Sequence, residues 1–146
     1  MSTLVRITRD NHADLWPLAV TRIRAFSLRY GAKPDGLINS LWTLFATNSP
    51  LCGIWGALPD ASAYESPDGP SRRLIGHIVT TIEPFNGATV AWVMQCEMDR
   101  RTPQAFVDRF LLEMEDWIAQ ANAVLPAANK VTETLFMTTR DTEVWT

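Results

Sequence analysis

Residues 73–121 decide the fold of this chain, and they read RLIGHIVTTIEPFNGATVAWVMQCEMDRRTPQAFVDRFLLEMEDWIAQA. Two strand-like segments, Arg73–Ile82 and Thr89–Met98, are joined by the tight Pro84-Phe85-Asn86-Gly87 connection. After a polar break, Gln104–Ala121 predicts one long amphipathic helix. A hairpin that leads into a helix leaves backbone amides and the helix N-terminus facing the same space. This arrangement favours an anion or an extended cofactor.

The predicted helix begins with its own start signal. Thr102 is expected to cap it, and Pro103 is expected to occupy its first position. Its apolar stripe predicts the face that the helix buries. The stripe consists of Phe106, Phe110, Met114, Trp117 and Ala121.

The rest of the chain supplies the other elements of one sheet. A first helix is expected to start near Trp16, with Pro17 in its first turn, and to stop at Gly31. The remaining predicted elements are the strand Leu4–Thr8, the helix Leu37–Ala46, the strand Leu51–Leu58, a loop over 59–70 and the strand Val131–Thr139. The strand Leu51–Leu58 contains two glycines, which favour close packing of a neighbouring group. The resulting order, β-α-α-β-β-β-α-β, predicts an α+β fold with a mixed, mostly antiparallel sheet flanked by helices.

Length and composition exclude several classes of protein. The 146 residues fit a single domain, 1–146, and 47% hydrophobic with 20% charged residues is ordinary globular usage. The net charge is −3 and no basic face is visible, so we expect no nucleic-acid partner. No apolar run approaches the roughly 20 residues of a membrane span. The N-terminus lacks the apolar core of a signal peptide, so a cytoplasmic location is expected.

The cysteines and histidines show no metal-ligand spacing, so no metal site is expected. Cys52 and Cys96 lie in apolar, strand-like surroundings, where we expect free thiols rather than a disulfide. His77 lies mid-strand among apolar neighbours, which favours a structural role. A nucleophilic pair of Cys96 with His77 on adjacent strands is the alternative.

The strand LIGHIVTTI, with Gly76, and the helix FLLEMEDWIAQA stand in an element order that resembles the GNAT acetyltransferase superfamily over residues 4–139. The resemblance implies that acetyl-CoA lies where the fourth and fifth strands, Thr89–Met98 and Val131–Thr139, splay apart. Pantetheine is then expected on the backbone of Met94, Gln95 and Cys96. The pyrophosphate is expected at the start of the third helix, on Arg100, Arg101, Thr102 and Gln104.

The chain departs from the family in two places. The family's pyrophosphate loop has the form Arg/Gln-x-x-Gly-x-Gly/Ala, whereas the segment 99–106 here contains no glycine. Arg100 and Arg101 keep its positive charge, although a solvated basic corner paired with Asp99 is the favoured interpretation of these two arginines. The sequence as given ends at Thr146 without the family's terminal helix and its frequent general-acid tyrosine. A shortened version of the fold is therefore expected, similar to the short GNAT-like proteins of short-tailed bacteriophages, some of which are internal virion components.

Glu97 is the candidate general base, because GNAT enzymes often place a carboxylate near the carboxyl end of the fourth strand. Gln95 and Val93 are expected to share its face of the strand. The alternative is a structural carboxylate paired with Arg100 or Arg101. Glu83, at the end of the preceding strand, is a weaker candidate because Pro84 is expected to place it in a turn.

Two functions remain open from the sequence. The favoured one is a GNAT-like domain that acts as an interaction or assembly module, with a protein partner or as a homo-oligomer, plausibly in a phage virion. The alternative is an active N-acetyltransferase that moves an acetyl group from acetyl-CoA to an amine. Whether the chain is an enzyme is thus undecided at this level, because function belongs to the site rather than to the fold.

Overall fold

The computed structural model of this chain describes residues 3–47, 49–58, 65–66, 69–70, 73–99 and 104–136. A five-stranded sheet has its strands in the order β1-β2-β3-β4-β5. These strands are β1 (Thr3–Arg6), β2 (Cys52–Leu58), β3 (Gly76–Phe85), β4 (Ala88–Met98) and β5 (Val131–Phe136). The helices described are α1 (His12–Arg29), α2 (Pro34–Ala46) and α3 (Gln104–Val124), with a 3₁₀ turn at Ala127–Asn129. Glu65–Ser66 and Gly69–Pro70 form a separate two-stranded ladder.

The sheet is antiparallel from β1 to β4, and only β5 runs parallel to its neighbour β4. This arrangement confirms the predicted α+β fold. Two core clusters form, one on each face of the sheet. The first packs α1 and α2 on the sheet through residues such as Ile23, Leu41 and Val79. The second packs α3 on the opposite face, where the Trp55 ring meets Phe110 and Trp117 edge to face.

Helix α1 begins earlier than the sequence predicts. It starts at His12 rather than near Trp16, so Pro17 lies inside the helix and not in its first turn. The side chain of Asn11 explains the early start. Its Oδ1 accepts a hydrogen bond from the amide of Thr8 at 2.8 Å, and its Nδ2 donates to the carbonyl of Arg6 at 2.9 Å. These bonds turn the chain directly from β1 into the helix, although Pro17 cannot donate a helical hydrogen bond.

The predicted stop at Gly31 is confirmed. Gly31 has φ of +76°, and the helix ends at Arg29, two residues before it. The amide of Ala32 returns to the carbonyl of Ser27 at 2.8 Å, which satisfies one of the free carbonyls of the last turn.

The β3–β4 hairpin is tighter than the sequence predicts. Asn86 and Gly87 have φ of +50° and +80°, as the two central residues of a type I′ turn require. Pro84 and Phe85, expected in the connection, instead pair with Thr89 and Ala88 and belong to the strands. At its other end β3 begins at Gly76 rather than at residue 73.

Helix α3 buries four residues of the predicted stripe, since Phe110, Met114, Trp117 and Ala121 all lie in the core, and the side chain of Phe106 is outside what the structure describes. The helix ends at Val124, three residues beyond the predicted end. Thr102 and Pro103 lie outside the described residues, and so does the predicted continuation of β5 over 137–139.

A glycine on β2 makes the tight packing under α3 possible. A Cβ on Gly53 would lie 2.6 Å from the Trp55 ring and 3.1 Å from the Trp117 ring, so the two indoles occupy the space of a side chain. This confirms that a β2 glycine accommodates a close neighbour. Gly36, in α2, is the opposite case, because a Cβ there would have no neighbour within 4 Å.

We expect Gly53→Ala to lower the free energy of unfolding by about 1–3 kcal/mol, because the new methyl group overpacks the indole pair. Gly36→Ala should leave stability unchanged or raise it by up to about 1 kcal/mol, because alanine is the better helix former. Urea unfolding of the two variants beside the parent chain measures both effects. Equal stability of the two variants would contradict this account of the α3 core.

Candidate functional site

Strand β4 carries one extra residue opposite β3. Val79 pairs with Gln95 and Thr80 pairs with Val93, so Met94 has no opposite residue. Met94 packs in the core of the α1 side, and Gln95 bonds to α1 through its side chain. Two consecutive side chains therefore point to the same face, as in a β-bulge.

The bulge changes which side chains share a face. Val93 packs in the α3-side core, whereas Gln95 and Glu97 both reach α1. The prediction that Val93 shares the face of Glu97 is wrong, because the extra residue reverses the strict alternation. Cys96 and Met98 pack on the α3 side.

The described pairing of β4 with β5 covers the first part of β4. It runs from the Thr89–Val131 pair to the Val93–Phe136 pair. The next residue of β4 is Met94, the extra residue opposite β3, and the residues that follow Phe136 lie outside the described part of the chain.

A buried polar network joins the bulge to α1. The side chain of Gln95 lies between His77 and Ser27. Its Oε1 lies 2.8 Å from His77 Nε2, and its Nε2 donates to Ser27 Oγ at 3.0 Å. Arg22 Nε donates to His77 Nδ1 at 3.2 Å. Because arginine can only donate, Nδ1 must accept and the imidazole proton belongs on Nε2, facing Gln95.

Arg22 also holds the carboxyl end of β4. Its Nη2 donates to Glu97 Oε1 at 3.0 Å, and its Nη1 donates to the carbonyl of Leu74 at 3.0 Å. The same Nη1 also lies 3.5 Å from Asp99 Oδ1. The other carboxylate oxygen of Glu97, Oε2, accepts from Arg29 Nη1. The candidate base therefore sits in a double ion pair with α1.

The sequence interpretation missed both α1 arginines as site residues. It considered only Arg100 and Arg101 as partners of Glu97, because they are close in sequence. Arg22 and Arg29 are seven residues apart, a spacing that places two side chains on the same face of a helix. That spacing was the available signal, although it does not identify the strand residue that the pair meets.

The structure does not form the alternative Cys96–His77 pair. The two side chains lie on opposite faces of the sheet, and both ring nitrogens of His77 are engaged by Gln95 and Arg22. Burial raises the pKa of Cys96 to about 11 and that of Cys52 to about 12, so neither is a ready thiolate. Both cysteines are free.

The predicted pyrophosphate residues are only partly described. Arg100, Arg101 and Thr102 lie outside the described residues. Gln104 is the first residue of α3, exposed, with its Nε2 3.3 Å from Asp108 Oδ1. Among the residues described, no three His, Cys, Asp or Glu side chains group as metal ligands would. None of the helices that the structure covers is long and apolar enough to cross a membrane.

Several similar solved structures are named as acetyltransferases. A putative acetyltransferase from Pyrococcus furiosus is 12% identical with a TM-score of 0.58, over 98% of this chain and 86% of that one. An aminoglycoside 6′-N-acetyltransferase from Acinetobacter baumannii is 15% identical with a TM-score of 0.56, over 97% and 82% of the two chains. A probable acetyltransferase is 18% identical with a TM-score of 0.56, over 97% of this chain and 82% of that one. No protein-family model and no curated protein sequence matches the chain. The fold is therefore that of the GNAT acetyltransferases.

The buried histidine makes stability depend on pH. Burial lowers the pKa of His77 from 6.5 to about 4, and the positive charge of Arg22 also lowers it. A group with a depressed pKa binds its proton more readily after unfolding. The free energy of unfolding is therefore highest above pH 6.5, where His77 is neutral in both states. It decreases as the pH falls towards 4, because the unfolded chain binds the proton first.

Between pH 7.5 and pH 5 we expect His77 to account for a loss of about 2 kcal/mol in the free energy of unfolding. Urea titrations at a series of pH values measure this loss. His77→Gln is the control, since it keeps a polar side chain that does not titrate and should flatten the pH dependence. An unchanged slope in His77→Gln would show that other groups cause the loss.

Proposed function

We propose that this protein binds acetyl-CoA along β4 and transfers its acetyl group to an amine. The observation that carries the proposal is the bulge at Met94, which turns Gln95 and Glu97 of β4 towards α1. The GNAT resemblance implies that pantetheine pairs with β4 at Met94, Gln95 and Cys96, and the bulge lies at these residues. The acetyltransferase neighbours support the same interpretation.

The backbone beyond Val93 fits such a ligand. A central strand has hydrogen-bonding groups along both edges, and β3 pairs with only one edge of β4. Pantetheine is an extended chain with two amide groups, so it can pair with the other edge as an added strand would. Arg100, Arg101, Thr102 and Gln104 remain the residues predicted to hold the pyrophosphate.

The reaction requires an amine that has lost its proton. The amine nitrogen attacks the thioester carbonyl carbon, the carbon–sulfur bond breaks, and the thiolate of coenzyme A leaves and takes up a proton. Glu97 remains the predicted general base. Each of its oxygens accepts one hydrogen bond from an arginine, so the acceptor must either use a remaining lone pair of the carboxylate or displace one of the two guanidinium groups.

Deleting Met94 tests the role of the bulge. Without Met94, Val93, Gln95 and Cys96 keep their present faces in a regular alternation, so we expect a folded protein with an unbulged β4. Its affinity for acetyl-CoA should fall at least about tenfold, because the deletion shifts the register of the β4 backbone after Val93 against the ligand. Isothermal titration with acetyl-CoA and with coenzyme A measures this change.

Met94→Leu is the matched control, because it conserves the side-chain volume and the residue count, and its affinity should match that of the parent chain. Thermal melting with and without ligand reports whether each variant is folded and whether it binds. A parent chain that shows no heat and no thermal shift with acetyl-CoA would overturn the proposal. So would a folded deletion variant that binds as tightly as the parent.

An interaction or assembly module is the second candidate, and exposed leucines on α3 favour it. Leu112 is 67% exposed and its neighbour Leu111 is 38% exposed. Apolar side chains of this size on a helix surface suit contact with a protein partner or a second copy. A virion role, like a cytoplasmic location, stays a prediction from the sequence.

If α3 mediates self-association, the parent chain should be an oligomer by light scattering, and Leu111→Ser/Leu112→Ser should be a monomer, because the change removes the exposed apolar contact. Val124→Ser, an exposed apolar position near the end of the same helix, is the control and should leave the mass unchanged. A parent chain that is monomeric at all concentrations would contradict self-association through α3.

A further inference from the structure

Two arginines of α1 hold Glu97, and they differ greatly in burial. The side chain of Arg22 is 17% exposed, and that of Arg29 is 52% exposed. Arg22 donates to His77 and to the Leu74 carbonyl as well as to Glu97, so it is tied into the interior. Arg29 extends from the last turn of the helix into solvent, with its guanidinium 5.8 Å from the Tyr30 ring.

This difference makes one partner of Glu97 permanent and the other exchangeable. Withdrawing Arg22 would leave His77 Nδ1 and a backbone carbonyl without their donor in a buried place, which is costly. Withdrawing Arg29 breaks an ion pair in which water can replace the guanidinium, and such pairs contribute little to stability. Glu97 Oε2 can therefore change partners while Oε1 stays fixed.

We propose that Arg29 is a specificity-determining residue whose guanidinium occupies the place that the acceptor's ammonium group takes at Glu97 Oε2. This inference rests on the proposed transfer to an amine. When Arg29 moves away, the carboxylates of Glu97 and Asp99 are both paired with the guanidinium of Arg22, and these three groups together carry one net negative charge. Their net charge favours a cationic amine over an anionic acceptor.

The arrangement also links acceptor binding to the chemistry. An ammonium group at Oε2 would be in contact with the oxygen that must receive its proton, while Arg22 keeps the carboxylate oriented through Oε1. Arg29 competes with the substrate for this oxygen before binding. It therefore sets the acceptor affinity without being needed in the transfer step.

Arg29→Gln tests the competition, and Arg24→Gln is the matched control. Arg24 lies on the same helix, is 47% exposed and pairs with Asp35 at 2.8 Å, away from Glu97. The probes are spermidine and Nα-acetyllysine amide as cations, with succinate as the anion, each titrated calorimetrically without acetyl-CoA. We expect Arg29→Gln to tighten binding of the cations about two- to fivefold, the range of an exposed ion pair, and Arg24→Gln to change nothing.

The transfer kinetics give an independent measurement. In Arg29→Gln the KM for the amine should fall by the same factor while kcat stays within about twofold, and Arg29→Lys should resemble the parent because it restores the competing cation. Adding Glu97→Gln to Arg29→Gln should abolish the gain in affinity. This double change separates competition at Glu97 from a general effect of surface charge.

Cation affinity that is unchanged or weaker in Arg29→Gln would overturn the inference, and so would failure of the cations to bind either protein. Binding of succinate that is lost in Arg29→Gln would instead assign Arg29 to an anionic acceptor. Because these titrations contain no acetyl-CoA, their result stands apart from the acyl-donor titration. Tighter amine binding in a protein that does not bind acetyl-CoA would reject the transferase proposal and retain the cation site.

Discussion

The buried hydrogen bonds of His77 are the constraint on which the site depends. A neutral imidazole can be buried at little cost only if both ring nitrogens find partners. Gln95 supplies one partner from β4, and Arg22 supplies the other from α1. The three residues come from three different elements, so the network fixes how α1 lies on β3 and β4. Core packing alone would allow small shifts between these elements, whereas the distances of the network do not.

The extra residue in β4 is what makes this network possible. In a regular strand, Val93 on the α3 face would place Gln95 and Glu97 on that face too, inside the core around Trp55 and Phe110. The bulge reverses the alternation after Met94. It brings the amide and the carboxylate to α1 and sends Cys96 to the apolar side. The unpaired Met94 thus places the polar side chains of Gln95 and Glu97 on the face opposite to the apolar side chains of Val93 and Cys96.

The sequence predicted those features that leave local signals. Gly31 as the end of α1, the stripe of α3 and the element order follow from glycine and apolar periodicity within single elements. The bulge could not be predicted, because Val90–Val93 is apolar on both faces of the strand and carries no alternation from which a register can be derived. The contact of Arg22 and Arg29 with Glu97 depends on that same register. It therefore stayed hidden even though the helix and the strand were both predicted.

The bulge also has a cost that argues for a function. Thr80 lies opposite the bulge and is fully buried, and its Oγ1 has no hydrogen-bond partner among the described residues. An unsatisfied buried hydroxyl costs about 1–3 kcal/mol, and a valine of similar shape would avoid that cost. A stability optimum would thus have neither the extra residue nor the threonine beside it. Local conflicts of this kind are expected where a site, and not the core, sets the structure. The conflict lies beside the β4 residues where the proposed acyl donor would bind. The bulge therefore has two consequences that a regular strand would lack: it places Gln95 between His77 and Ser27, and it lies where β4 is proposed to bind the acyl donor.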